Sequence, residues 1–458
     1  MVDCGCRKRQ SVTFHTQTHW QKYMSRQAIF RGSTIPVRAC DNSRDQPPER
    51  DCETKVAFMA TRFPEDCDPT LPGYPDPYPY YHQLRSEDPV HWSEFMRGWV
   101  VTRHADAVSY LRDRRFSRAA YLQNMRAKFG ADEPIFAFQA HELAFTDPPE
   151  HTWMKNVFGK AFSPAAIARM RPATEEIVRA KLDALAGKSE IDIVAEVAYP
   201  IPADAIAAML GAPSQDWEQL RELVDGIVVS RGIVRTPQMM AEGSRSVRGF
   251  NDYLIGLVNE RRRHPADDLL SAILVAEDNG RKLSYQQVLS MVETLFAAGH
   301  ATTRSLIANG MLALLKHRAE LVKLRENPTL IANAVEEMLR YESPTQAPSP
   351  QTALEDLQLG GKTIRKGDIV TVLFGSANRD PARFPEPDRF DIAREDNEHL
   401  AFSMGIHYCL GASLARLEAQ VAITAIVSRY ANIQLAETEP QWRSMGRFRG
   451  LSSLRVAV

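Results

Sequence analysis

The strongest constraint in this chain is residues 402–412, which read Phe-Ser-Met-Gly-Ile-His-Tyr-Cys-Leu-Gly-Ala. The segment from 410 on, LGASLARLEAQVAITAIVSRY, carries helical apolar spacing. A glycine-punctuated loop running straight into a helix places Cys409 at a helix N-terminus. Exposed backbone N–H groups and the helix dipole lower a thiol pKa there, and a thiolate is a strong ligand for iron. The other five cysteines (Cys4, Cys6, Cys40, Cys52 and Cys67) all lie in the first 67 residues. That distribution does not fit a disulfide framework. A lone cysteine far downstream is either a buried free thiol or a centre of chemistry.

Residues 1–58 are polar, basic and without a sustained apolar period, and read as a disordered N-terminal extension or a mis-assigned start, with Met59 as the true beginning. Cys4-Gly5-Cys6 has no second ligand pair nearby to make a metal site. Residues 59–458 read as one domain. Helical patterns dominate it, with strand-like runs near 89–102, 352–375 and the C-terminus. Strands set apart from helices, rather than alternating with them, favour a mainly α, α-rich α+β fold. The formal net charge of −1, from 56 basic and 57 acidic side chains, argues against a general nucleic-acid binder. No stretch approaches 18 uninterrupted apolar residues, so no membrane anchor is expected, and no secretory signal is visible. The expected location is cytoplasmic.

The longest helix is predicted over about 284–317. Val288, Val292, Leu295, Gly299, Thr302 and Leu306 form one stripe along it. Its middle, Ala297-Ala298-Gly299-His300-Ala301-Thr302-Thr303, is unfavourable for a helix, since an interior glycine costs about 1 kcal/mol. Small residues there suit a close helix crossing, or a flat ligand lying on this face with Thr302 directed at it. His300 reads as structural. A third feature, Glu337-Met338-Leu339-Arg340, puts an acid and a base on one helix face, but Glu336 is also spaced to meet Arg340.

Together these segments resemble the cytochrome P450 superfamily. The family loop Phe-x-x-Gly-x-x-x-Cys-x-Gly is matched by Phe402, Gly405, Cys409 and Gly411, and Glu-x-x-Arg by Glu337 and Arg340. The resemblance spans about 70–458. It implies the family fold, a helical domain with a small β-rich region, and haem b between the long central helix and the Cys-loop helix. Cys409 would be the axial iron ligand, pushing electron density onto the metal. Ala298 and Gly299 would lie against the haem, and Thr302 would assist proton delivery. Glu337 and Arg340 would be structural, tied to a downstream segment, Ala377–Pro381 and Phe384–Phe390. His151 and Lys155, four apart on a helix starting after Pro148-Pro149, and His407 would hold haem propionates.

Four positions depart from the family pattern. Ala301 stands where an acid usually precedes the threonine. Lys155 and Gln351 stand where relatives often carry propionate-binding arginines. Ser403 replaces a glycine. The expected activity is monooxygenation of a small, largely apolar molecule, of the kind tailored in polyketide, macrolide or other secondary-metabolite biosynthesis. Electrons would come from a ferredoxin and its NAD(P)H-dependent ferredoxin reductase, since no G-x-G-x-x-G opens a βαβ unit here. Ala301 leaves room for a peroxide-driven or rearranging enzyme, and a non-catalytic recruitment module on the same fold is the third reading. Pocket-lining segments are expected at about 121–145, 227–247, 292–299, 344–350 and 444–451. Within them stand Phe136, Phe138, Phe145, Val228, Met239, Met240, Leu295, Phe296, Phe448 and Leu451, with Arg231, Arg235 and Arg447.

Overall fold

A computed structural model describes residues 76–458, apart from 95, 131–132, 231–235, 279, 437–439 and 444–446. They belong to one compact unit, Phe63–Val458. The readings of residues 1–58, of Met59 and of Cys4-Gly5-Cys6 lie outside the described residues, as do Arg231 and Arg235.

The helices that build the site are α1 (Arg118–Phe129), α2 (Glu150–Ala161), α3 (Pro164–Asp183), α4 (Pro200–Met209), α5 (Trp217–Ser230), α6 (Pro237–Arg263), α7 (Tyr285–Lys316), α8 (Ile331–Tyr341) and α9 (Ala412–Arg429). Helix α7 begins at a reciprocal cap: Gln287 N–H donates to Ser284 Oγ, and Ser284 N–H donates to Gln287 Oε1. This arrangement pairs two backbone N–H groups that the first helical turn would otherwise leave open.

The two halves of α7 belong to different cores. Val288, Val292 and Phe296 pack with α5 and α6, through residues such as Val224 and Phe250. Leu306, Met311 and Leu315 pack with α3, α8 and α9, through Leu182, Leu339 and Ile423. The changeover falls at 301–306, beside the principal cavity. Its glycines permit the crossings. A Cβ on Gly299 would lie 2.6 Å from Ile206 Cδ1 of α4, and one on Gly310 would lie 2.5 Å from the Met338 sulfur of α8. The close-crossing reading of the small-residue stretch therefore holds at Gly299.

A five-stranded sheet joins Val90–Ser93 (β1), Gly98–Val101 (β2), Phe116–Ser117 (β3), Gln351–Ala353 (β4) and Ile369–Val372 (β5), in the order β1-β2-β5-β4-β3. Only β2 and β5 run parallel, with Val101 opposite Val372. Antiparallel β3 and β4 pair Phe116 with Ala353 and Ser117 with Thr352. A smaller sheet brings Arg455–Ala457 between Gln434–Leu435 and Glu190–Asp192. The mainly helical fold with a small β region is as expected. The strands 116–117 and 190–192 were missed because two or three residues carry no readable alternation. Among the described residues no helix is long and apolar enough to cross a membrane.

Candidate active site

A cavity of about 330 Å³ lies between α7 and the turn preceding α9. Ala298, Gly299 and Thr302 border it from α7, and Phe402, His407, Cys409 and Gly411 from the turn. The accessible surface of Cys409 opens onto this cavity, while protein encloses its other sides.

The turn is fixed by its backbone. Cys409 N–H donates to Phe402 O at 2.9 Å, and Ser403 N–H to Leu400 O at 2.8 Å. Gly405 has φ +70°, and a Cβ there would meet Leu111 O at 2.7 Å, so only glycine fits. Ser403 has φ +61°. That explains why glycine suits position 403, and it leaves a serine strained.

The local electrostatics correct one expectation. A single turn of 3₁₀ helix, Gly405–His407, precedes Cys409, and α9 starts only at Ala412. Burial pushes the Cys409 thiol up from its ordinary value, despite opposing pulls from the Gly411 backbone N–H, Arg416 and Lys155. Desolvation is the largest of these influences. Such a thiol gives up its proton to a bound cation rather than standing as a free nucleophile. Among the described residues no group of three His, Cys, Asp or Glu side chains could hold a bare ion. One sulfur donor suits a metal already ligated by its own cofactor.

Thr302 Oγ1 donates to Ala298 O, one helical turn back, at 2.7 Å. Ala301 is buried and borders the core rather than the cavity. His300 packs on the other side of the helix: Nε2 lies 3.0 Å from Tyr199 O, and its ring meets Tyr199 edge-on at 4.8 Å.

His151 and His407 both face the cavity, with ring centroids 4.5 Å apart. Burial, then Lys155 and Arg118, lowers His151 to about 4, and burial with Arg118 holds His407 well below its usual value. Lys155 does not line the cavity. Its ammonium donates to Ile406 O at 2.6 Å and Tyr408 O at 3.4 Å, bracing the cysteine turn. A compact ammonium on a flexible stem satisfies these nearby carbonyls.

Glu337 and Arg340 are fully buried and lie outside the cavity. Arg340 uses every donor: Nε and Nη2 reach the Glu337 carboxylate at 2.7 and 2.8 Å, Nη1 reaches Asn378 O and Pro387 O, and Nη2 also reaches Arg389 O. Glu336 takes a different partner, Arg416, with two bonds of 2.7 Å. Spacing alone left that choice open. Arg416 also stacks over Phe402 at 4.5 Å and donates to Tyr408 Oη, which ties α8 to the cysteine turn. Nothing in the sequence marked Arg416.

Of the expected substrate-side residues, Phe145, Val228, Leu295, Arg447 and Phe448 line the cavity. Phe136, Phe138, Met240, Phe296 and Leu451 are core instead, and Met239 is not in the lining. The spacing of large apolar residues does not tell a cavity wall from a core. Two polar residues at the cavity were missed: Gln139, 1 % exposed with neither amide atom partnered, and Arg118, whose Nε is buried without a partner. A flat, largely apolar group carrying carboxylates, with one sulfur donor beneath it, fits this lining. Haem b has that chemistry: Cys409 would ligate it, Ala298 and Gly299 would bear on its face, and the basic side chains would meet its carboxylates.

Comparison with known proteins agrees. The cytochrome P450 family profile matches residues 106–452. The chain is 37% identical over 383 residues to the biotin biosynthesis cytochrome P450 of Bacillus subtilis, covering 83% of this chain and 96% of that protein. It is 36% identical over 392 residues to the cytochrome P450 monooxygenase PikC of Streptomyces venezuelae, covering 83% and 91%. Among solved structures, P450BioI in complex with hexadec-9Z-enoic acid ligated acyl carrier protein superposes with a TM-score of 0.79 at 37% identity, covering 83% of this chain and 97% of that one.

Proposed function

The chain belongs to the cytochrome P450 family, and from that premise we propose that it hydroxylates or epoxidises a small, largely apolar organic substrate in secondary-metabolite biosynthesis. Its class, an oxygen-incorporating oxidoreductase with haem b as cofactor, is that of its relatives. The observation that carries the reading is the convergence of Cys409, Thr302 and an apolar lining on one cavity. When bound, haem b supplies the activation of dioxygen. One oxygen atom enters the substrate and the other leaves as water, which consumes two electrons and two protons. A ferredoxin and its NAD(P)H-dependent reductase supply the electrons.

Cys409 would ligate the cofactor, on a turn braced by Lys155 and Arg416. Thr302 holds a hydroxyl at the cavity wall. Its proton is engaged by Ala298 O, so its oxygen is free to accept from water or from a substrate hydroxyl. With alanine at 301, that donor replaces the missing acid. Gln139, Ser349 and Arg447 offer polar contacts at the cavity, the last two joined by a 3.1 Å hydrogen bond. They suit a substrate with an apolar body and one or two polar ends, free or carried on a partner such as the acyl carrier protein bound by P450BioI.

The test is the absorbance spectrum of the reduced protein under carbon monoxide. A long-wavelength Soret band, lost in Cys409→Ser, is expected. A histidine-type spectrum or no haem overturns the reading. Ala301 favours a second reading, peroxide-driven turnover, which strict dependence on the ferredoxin system would exclude.

A further inference from the structure

Position 351 carries a buried glutamine that takes no part in the cavity lining. A charge of the kind it lacks stands just past the end of the neighbouring strand. Antiparallel β3 and β4 pair Phe116 with Ala353 and Ser117 with Thr352, where the ladder ends, and Arg118 follows Ser117 as Gln351 precedes Thr352. Arg118 opens α1, is 7 % exposed and lines the cavity together with His151 and His407.

Its guanidinium is poorly served by the protein. The only hydrogen bond it makes among the described residues is Nη1 to Ala144 O at 3.4 Å, and Nε has no partner. The nearby carboxylate, Asp147, is engaged elsewhere, by the Ser117 hydroxyl and the Arg118 backbone N–H. His151 Nδ1 is likewise buried without a partner. A buried guanidinium with open donors is costly unless an anion completes it. Its planar fork matches a carboxylate in two parallel bonds.

We propose that Arg118 is the residue that clamps a haem propionate in this chain, supplying from the first residue of α1, just after β3, the guanidinium that β4 lacks at Gln351, with His151 and His407 alongside. A substrate carboxylate has the same chemistry. The propionate is favoured because both histidines face the same part of the cavity, flanking the cysteine turn. The inference rests on haem binding by Cys409, not on the oxygen chemistry.

The test uses holoenzyme and measures haem transfer to excess apomyoglobin by absorbance. Arg118→Gln should lose haem roughly tenfold faster, the loss of one charge-assisted hydrogen bond or more. Arg118→Lys should fall between, and adding Gln351→Arg to Arg118→Gln should slow the loss again. A thiolate-type carbon monoxide band in every variant would show that Cys409 ligation is intact and that the effect belongs to the clamp. Wild-type haem retention in Arg118→Gln overturns the proposal. So does accelerated loss that neither Arg118→Lys nor Gln351→Arg moderates, which marks a structural role. Unchanged haem loss with weaker binding of palmitic acid, but not of methyl palmitate, overturns it in favour of a substrate carboxylate.

Discussion

Arg340 and Arg118 are both buried arginines, and the regions around them differ in kind. Arg340 sits in a network complete within the protein: five donors, five acceptors, and a Glu337 carboxylate that also receives Asp391 N–H and the Asn397 amide. Arg118 lies at the cavity with an unpartnered Nε and one long hydrogen bond. Low dielectric makes the first arrangement rigid and the second receptive. A buried polar network that is complete holds a fold, and one left open to a cavity marks where a ligand's charge belongs.

The widest separation between the two regions should appear in the stability of haem-free protein. Arg340→Ala leaves the Glu337 carboxylate buried and unpaired, and should cost about 3–5 kcal/mol in urea unfolding. Arg118→Gln removes an incompletely satisfied charge and should cost no more than about 1 kcal/mol. Equal losses would break the comparison.

A second separation is in acid. Burial lowers His300 to about 4, against opposing influence from Asp225 and with Arg304 and Arg221 adding to the lowering; the Tyr199 carbonyl bond raises it. The unfolded chain therefore takes up the proton first as pH falls. The contribution of neutral His300 is complete above about pH 6.5 and is lost as pH drops through 4, roughly 3–4 kcal/mol in all. His300→Asn should flatten the stability profile in that window in haem-free and haem-loaded protein alike, because His300 faces Tyr199 and not the cavity. A profile unchanged by the substitution would mean that His300 is already charged in the fold.

The smallest effect belongs to the turn between the regions. Ser403→Gly relieves left-handed backbone strain of about 1–2 kcal/mol, offset by about 0.5–1 kcal/mol of glycine chain entropy. A net gain of up to about 1 kcal/mol in unfolding free energy is expected. A loss would mean that the Ser403 hydroxyl contributes more than its strained backbone costs.

Much of this arrangement was legible in the sequence. The 34-residue helical pattern gave the central helix to within a residue, because apolar periodicity is a local signal. Glu337 with Arg340 was legible as a pair, but its choice over Glu336 was not, since both acids can reach from one helix. That choice depends on Arg416, 76 positions beyond Arg340 in sequence. Arg118 carried no signal at all, because a lone arginine at a strand end is usually solvated.

The sequence by itself determined the family, the candidate sulfur donor Cys409, the helix beside it and the departures at 301, 351 and 403. These rest on residue types at fixed local spacing. Only the tertiary structure decided which charges are answered. Lys155 bends to the carbonyls of the turn, burial raises the Cys409 thiol, and Arg118 stands at the cavity just past the strand that pairs with β4. Desolvation and ion pairing depend on distances between segments far apart in the chain, and no local pattern encodes them.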